Sequence, residues 1–184
     1  MSAALPAART FAVAPAAVWR LLWLWVPLLG CAGVIVASTL QSDQRTAHEL
    51  ALTVPFLALL LAALTAAFFR RRIGLQGSTL DVLATFYRRR VAVQEMVLGK
   101  ARVVDLAEHD TLRPRRMLNG YGVPGFNAGH YRLRDGTRAF CLLTDASRAL
   151  YLPLHDGSAL LLSPEQPRAL LEALQALAGP AATH

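Results

Sequence analysis

The chain has 184 residues, 54% of them hydrophobic, and a formal charge of +7 from 19 Lys and Arg against 12 Asp and Glu. That length holds one compact domain plus a membrane anchor, or a single ordinary soluble domain. The charge distribution argues for the first, because residues 21–69 contain only Asp43, Arg45 and Glu49, whereas the chain from Arg70 onward carries 16 basic residues, 15 of them arginine, against 10 acidic. The two cysteines, Cys31 and Cys141, stand far apart and offer neither a disulfide framework nor a metal-type spacing.

Residues 1–18 carry a single charge, Arg9, and are expected to form a cytoplasmic N-terminal segment. Between Arg20 and Asp43 runs LLWLWVPLLGCAGVIVASTLQS, uncharged and long enough to cross a hydrocarbon core of ~30 Å at ~1.5 Å per residue. A second apolar run, Leu50 to Phe69, follows a short polar stretch. One all-apolar helix can hide in a large soluble core, but a chain this short has too little protein to cover two in succession. The expectation is a transmembrane hairpin over residues 19–72: a first helix at about 19–40, an external loop 41–49, a second helix 50–69 and a basic flank 70–72.

Lys and Arg are retained on the cytoplasmic side of a membrane. Arg9 and Arg20 precede the first helix, Arg70, Arg71 and Arg72 follow the second, and the loop between them has only Arg45, so both termini are expected in the cytoplasm of a bacterial inner membrane. Trp19, Trp23 and Trp25 cluster at the inner end of the first helix and Phe68 and Phe69 at that of the second, as suits rings that favour the interface. Leu28-Leu29-Gly30-Cys31 resembles a lipobox, but the preceding segment is long and poor in charge, and the chain after Cys31 stays apolar. Cys31 reads instead as a small buried packing residue.

Neither helix carries an ionisable side chain of the kind a transport path or proton relay needs. Ala58, Ala62 and Ala66 recur at every fourth residue, and Gly33 and Ala37 share that spacing, so each helix has a small-residue seam. The seams suit a tight hairpin, a homo-oligomer or a partner membrane protein.

Residues 73–184 are expected to form the cytoplasmic domain. Asp135-Gly136, Thr144-Asp145-Ala146-Ser147 and Asp156-Gly157 separate HYRLR, TRAFCLL, RALYLPL and SALLL, which predicts a four-stranded antiparallel meander. TLDVLAT, YRRRVAV and KARVVDL add about three strands upstream. The period then changes: Leu170, Leu171, Leu174 and Leu177 recur at helical spacing. Either Ser163 with Gln166 forms a capping box, or Gln166 caps with Pro167 at the first helical position, and Gly179-Pro180 stops the helix. The expected fold class is a two-helix transmembrane hairpin followed by a mainly β barrel or sandwich of about seven antiparallel strands, closed by one C-terminal helix.

Gly120-Tyr121-Gly122, Pro124-Gly125-Phe126, Gly129-His130-Tyr131-Arg132-Leu133, Leu143-Thr144-Asp145 and Ser163-Pro164 occur in that order. On these residues the stretch 78–177 resembles the bacterial pleckstrin-homology-like (PH-like) domain family, members of which often follow a two-helix membrane hairpin. The resemblance implies a PH-like barrel, no catalytic residues and no settled ligand.

Several chemistry-bearing patterns have simpler readings. Gly120 to Gly125 fits Gly-x-Gly-x-x-Gly, but that motif holds a pyrophosphate only at a strand-to-helix turn, and Pro124 and the strand-like Asn127 to Arg134 argue for a conformationally demanding loop. His48, His109, His130, His155 and His184 are scattered without ligand spacing, so no metal or cofactor is expected. His155, Asp156 and Ser158 fall in a turn that wants Asp and Ser for backbone reasons. The arginines remain. Arg70, Arg71 and Arg72 set topology or contact anionic lipid headgroups, and Arg88 and Arg90, with Arg89 sent to the opposite face by alternation, and Arg113, Arg115 and Arg116 are further candidate headgroup contacts. Nucleic acid is not expected, since aromatic residues are not interleaved with these cations. The expected function is a membrane-anchored, non-enzymatic binding or scaffolding protein for a protein partner or anionic headgroups; the alternative is an accessory subunit of a larger membrane complex.

Overall fold

The computed structural model describes residues 9–40 and 46–179; residues 1–8, the loop positions 41–45, the side chain of His48 and His184 lie outside it. Two compact units result: a helix pair over Ala17–Phe69, and a β domain assembled from the described residues up to Ala16 together with those from Arg70 onward.

The β domain has two sheets. The first is antiparallel throughout and runs in the order β1 (Arg9–Phe11), β2 (Arg71–Gln76), β3 (Thr79–Ala84), β4 (Tyr87–Ala92). No strand is expected before the first helix, yet Arg9, Thr10 and Phe11 pair with Leu75, Gly74 and Ile73. The same segment then reaches the far end of the domain, where the Ala14 amide donates to the Ser163 carbonyl at 2.9 Å and Ala12 accepts from the Glu165 amide at 2.9 Å. The expected basic flank is also partly strand, since β2 begins at Arg71. Alternation sends Ile73, Leu75, Leu80, Val82, Ala84 and Val91 to one face, where all are buried.

The second sheet comprises β5 (Arg102–Val104), β6 (Pro114–Val123), β7 (Phe126–Leu133), β8 (Arg138–Leu143), β9 (Ala149–Pro153) and β10 (Ala159–Leu162), in the order β5-β9-β10-β8-β7-β6. This corrects the expected meander. β10 does not lie outside β9; it inserts between β9 and β8 and runs parallel to β8, so the strands are not all antiparallel. The physical reason is its composition: every residue of Ala159–Leu162 is buried, and an interior strand covers both faces and both edges of such a segment where a sheet border would expose one edge. The described residues hold ten strands where about seven are expected.

The glycine-rich segment is a second correction. It is strand up to Val123, with only Pro124-Gly125 as the turn, where Gly125 has φ 78°. A Cβ on Gly120 would stand 2.7 Å from the Ala128 carbonyl oxygen, and one on Gly122 would stand 2.8 Å from the Tyr131 hydroxyl. The Tyr131 ring lies across both positions and its hydroxyl donates to the Tyr121 carbonyl at 3.2 Å. These glycines therefore serve close packing of β6 on β7.

The C-terminal helix, Pro167–Ala178, starts with Pro167 in its first turn and Gln166 as N-cap without a side-chain cap bond. The capping box is not formed because the helix begins only at Pro167, which leaves Ser163 three residues ahead of the N-cap, where its hydroxyl donates to the Asp145 carbonyl at 2.7 Å. Leu170 and Leu174 are buried, and the helix packs against β9, β5 and the 3-10 turn Val93–Glu95. Two sheets closed by one helix are consistent with a PH-like fold.

The helix pair is α1 (Leu22–Leu40), entered through a 3-10 turn at Val18–Leu21, and α2 (Thr46–Phe69). The C-terminal helix is accordingly α3. Among the described side chains, those partly buried are Leu24, Leu28, Ala32 and Ile35 on α1 and Thr53, Leu57, Leu60, Leu61, Leu64 and Thr65 on α2. Trp25 Nε1 donates to Thr65 Oγ1 at 3.1 Å, joining the helices. Gly33, Ala37, Ala58, Ala62 and Ala66 are all exposed within this pair, as is Cys31, where a buried residue is expected.

Replacing Gly120 by Ala drives a methyl group into the Ala128 carbonyl and is expected to cost ~1–3 kcal/mol, whereas Gly74→Ala, whose Cβ meets nothing nearer than 3.9 Å, stays within ~0.5 kcal/mol. Thermal unfolding of the two variants side by side checks the contrast.

Candidate functional site

Strand alternation divides the arginines of the first sheet. Arg72, Arg88 and Arg90 share the outer face with Asp81, which pairs in register with Arg90 and faces Gly74 on its other side. Arg88 grips the Asp81 carboxylate with two bonds, Nε to Oδ1 at 2.7 Å and Nη2 to Oδ2 at 2.5 Å, and Arg90 Nε stands 3.7 Å from Oδ1. The Arg88 hydrogen bond, with Arg90 and Arg72 behind it, holds the Asp81 carboxyl below the usual carboxylate range. Two of the arginines expected to face headgroups are thus partly neutralised by one acid.

Arg71 points the other way. It is half-buried with its guanidinium 5.6 Å from the centre of the Phe126 ring, and burial lowers its pKa from the ordinary arginine value. Arg70 is exposed, and its carbonyl accepts from the Thr85 amide at 2.9 Å. Arg113 lies 3.3 Å from Asp110, a carboxylate also held by Arg134. Arg115 and Arg116 are exposed on the edge strand β6, where two register shifts bulge the strand between Pro114 and Asn119.

Arg89 shares the inner face of β4 with Tyr87 and Val91 and enters an open cleft of about 400 Å³. Its Nη2 donates to Ser158 Oγ at 3.0 Å and stands 3.6 Å from Asp156 Oδ2. The Ser158 side chain first, then its amide, keep the Asp156 carboxyl below its ordinary range, with Arg89 adding to the effect. Beside them His130 sits edge-on to Phe140, with ring centres 5.1 Å apart, and to Tyr87 at 6.3 Å. Burial, then the Arg89 charge, lowers the His130 pKa, which favours its neutral imidazole. The Tyr87 hydroxyl donates to Asn119 Oδ1 at 2.7 Å, tying β4 to β6.

Arg132 and Arg138 complete the cleft wall. They are direct partners across β7 and β8, and Arg132 is also the direct partner of Arg116 on β6. Three arginines therefore occupy one row of paired positions across three adjacent strands, on the face that also carries His130 and Phe140. Sequence reasoning names Arg116 alone of these. The missed signal lies in the Asp135-Gly136 turn. Leu133 accepts from the Gly136 amide and donates to the Thr137 carbonyl, which gives a three-residue loop with Gly136 at φ 91°. That loop sets Arg138 opposite Arg132; a two-residue loop would have put Leu133 there.

The family model described as Bacterial PH domain matches residues 75–178. The chain belongs to the bacterial PH domain family. No curated protein and no solved structure matches it. The arginine row, Arg89 and His130 all lie inside the PH domain match, while β1 and the helix pair lie outside it. PH domains are generally binding modules rather than enzymes, and the guanidinium groups of this cleft suit the binding of an anion. His155, Asp156 and Ser158 stand in a turn in which Asp156 Oδ1 accepts from the Ser158 amide at 2.8 Å, an arrangement that serves the backbone. The Cys141 thiol is fully buried, which pushes its pKa well up and keeps it unreactive. Among the described residues no group of His, Cys, Asp and Glu has a metal-binding arrangement.

Because the Asp81 pKa is depressed in the folded domain, the stability it contributes is present above the ordinary carboxylate pKa of about 4 and is lost as pH falls through the lower folded value. Asp81→Asn is expected to lower the unfolding midpoint at neutral pH and to flatten the acid limb of its pH dependence; an unchanged acid limb would count against the assignment.

Proposed function

We propose that the protein is a membrane-anchored, non-enzymatic binding module, in which the helix pair holds the PH domain at the cytoplasmic surface of the bacterial inner membrane to engage a protein partner or anionic headgroups. The observation that carries this reading is the pairing of β1 with β2. These strands flank the helix pair in sequence and are neighbours in one sheet, so the pair is an insertion that leaves the domain and returns to it. An anchor of two spans does that; an odd number would place the flanks on opposite sides of a bilayer.

The helix pair, with the 3-10 turn that enters it, contains two stretches, Val18–Ser38 and Leu52–Phe69, long and apolar enough to cross a membrane, and only 6% and 11% of those windows is buried within the protein. A core helix of a soluble protein would be mostly covered. Arg9, Arg20, Arg70, Arg71 and Arg72 on the domain side favour the cytoplasm. Each cation near an anionic leaflet contributes about 1 kcal/mol. A second reading, an accessory subunit of a larger membrane complex, is supported by the outward placement of Gly33, Ala37, Ala58, Ala62 and Ala66, since small residues on an uncovered face let a neighbouring helix approach closely.

Fusions at either end to a reporter active only in the cytoplasm are expected to be active, and fusions to one active only in the periplasm silent. The converse pattern would overturn the placement. Detergent extraction that recovers a stoichiometric membrane partner, lost on Ala62→Leu, would favour the subunit reading.

A further inference from the structure

Arg116, Arg132 and Arg138 occupy directly opposed positions on β6, β7 and β8. Like charges so placed repel across strands about 4.8 Å apart and weaken the sheet. Protection of a sheet edge explains cations on β6, which is an edge strand, but β7 and β8 are interior strands with no edge to protect. Nor, among the described residues, is any acid paired with the row. Asp110 is held by Arg113 and Arg134, Asp135 accepts from the Thr137 amide at 2.8 Å, and Asp156, the one carboxylate lining the cleft, faces Arg89.

We propose that this arginine row, together with Arg89 in the cleft behind it, binds a phosphate-bearing anion. The choice of phosphate follows from geometry and charge. A single carboxylate satisfies one guanidinium fork, whereas a phosphoryl group offers three acceptor oxygens to several arginines at once, and two strand spacings, about 10 Å, accommodate more than one such group. The cleft of about 400 Å³ exceeds a bare phosphate and leaves space for the body that carries it, against Leu118 and the His130 ring. The inference rests on reading the domain as a binding module, but not on the anchoring. A free phosphorylated molecule and a lipid headgroup present the same chemistry.

The test uses the full chain in nanodiscs, with incorporation into the disc scored separately so that failure of anchoring is not mistaken for failure of the site. In discs of zwitterionic phosphatidylcholine, which has no net charge, sodium tripolyphosphate is added; in a second arm, phosphatidylglycerol replaces part of the lipid. A ligand that binds the folded state raises the unfolding midpoint in proportion to its occupancy. A rise in the first arm identifies a soluble phosphate, and a rise in the second alone identifies a headgroup. R132Q/R138Q is expected to raise the tripolyphosphate concentration needed for half the shift by ~10-fold or more, or to remove the lipid-induced shift. R88Q/R90Q, which removes the same charge from the Asp81 face, is expected to change either by less than ~3-fold. Without ligand and at low salt, R132Q/R138Q is expected to unfold no earlier than the parent, because it relieves repulsion. Should it unfold earlier, the single variant R138Q takes its place in the same titration. No shift in either arm, or equal loss in R132Q/R138Q and R88Q/R90Q, would overturn the proposal.

Discussion

Three residues before the helix pair, Arg9, Thr10 and Phe11, hydrogen-bond in register with Ile73, Gly74 and Leu75 after it, and the rest of the arrangement depends on that pairing. It makes the β domain discontinuous in sequence, with β1 as the outer strand of the first sheet and β2 drawn inward beside β3. The continuation of the N-terminal segment along Ser163 and Glu165 then ties that sheet to the stretch between β10 and α3. A tail that merely preceded an anchor would have no reason to hydrogen-bond at both places. Here the segment supplies a strand that covers one edge of β2, an edge otherwise left open to other chains.

The domain sorts its arginines by facing, and the sorting decides their roles. Alternation along Arg88-Arg89-Arg90 sends the outer two to a shared carboxylate and the middle one inward to Ser158 and Asp156. Arg71 and Arg72 separate in the same way, one half-buried over Phe126 and the other on the outer face. The charge of the chain is therefore not one basic surface. It is a partly compensated face around Asp81 and an uncompensated row on the second sheet.

How much of this was legible in the sequence follows from the range of the interactions involved. The helix pair, the hairpin turns at Asp135-Gly136 and Asp156-Gly157, and the amphipathic α3 rest on contacts within a few residues, and composition and period expose them. β1 is three residues long, too short for alternation to register, and its partner lies beyond both helices. The insertion of β10 beside β8 is driven by complete burial of Ala159–Leu162, a property of the finished sheet rather than of neighbouring residues. The glycines of β6 read as a loop because the Tyr131 ring that requires them is on the next strand. Arg132 and Arg138 sat in view on either side of a turn, but only the three-residue loop puts them face to face.

The central claim, that the segment before the helix pair is a strand of the same domain as the chain after it, is tested most directly by disulfide trapping in native membranes. On a Cys31→Ser background, with Cys141 buried, Thr10→Cys is combined with Gly74→Cys, its register partner, or with Gln76→Cys, two residues out of register. Mild oxidation requires Cα atoms within about 7 Å. The pairing predicts rapid, near-complete closure of the first pair and little of the second; equal trapping of both, or of neither, would contradict it.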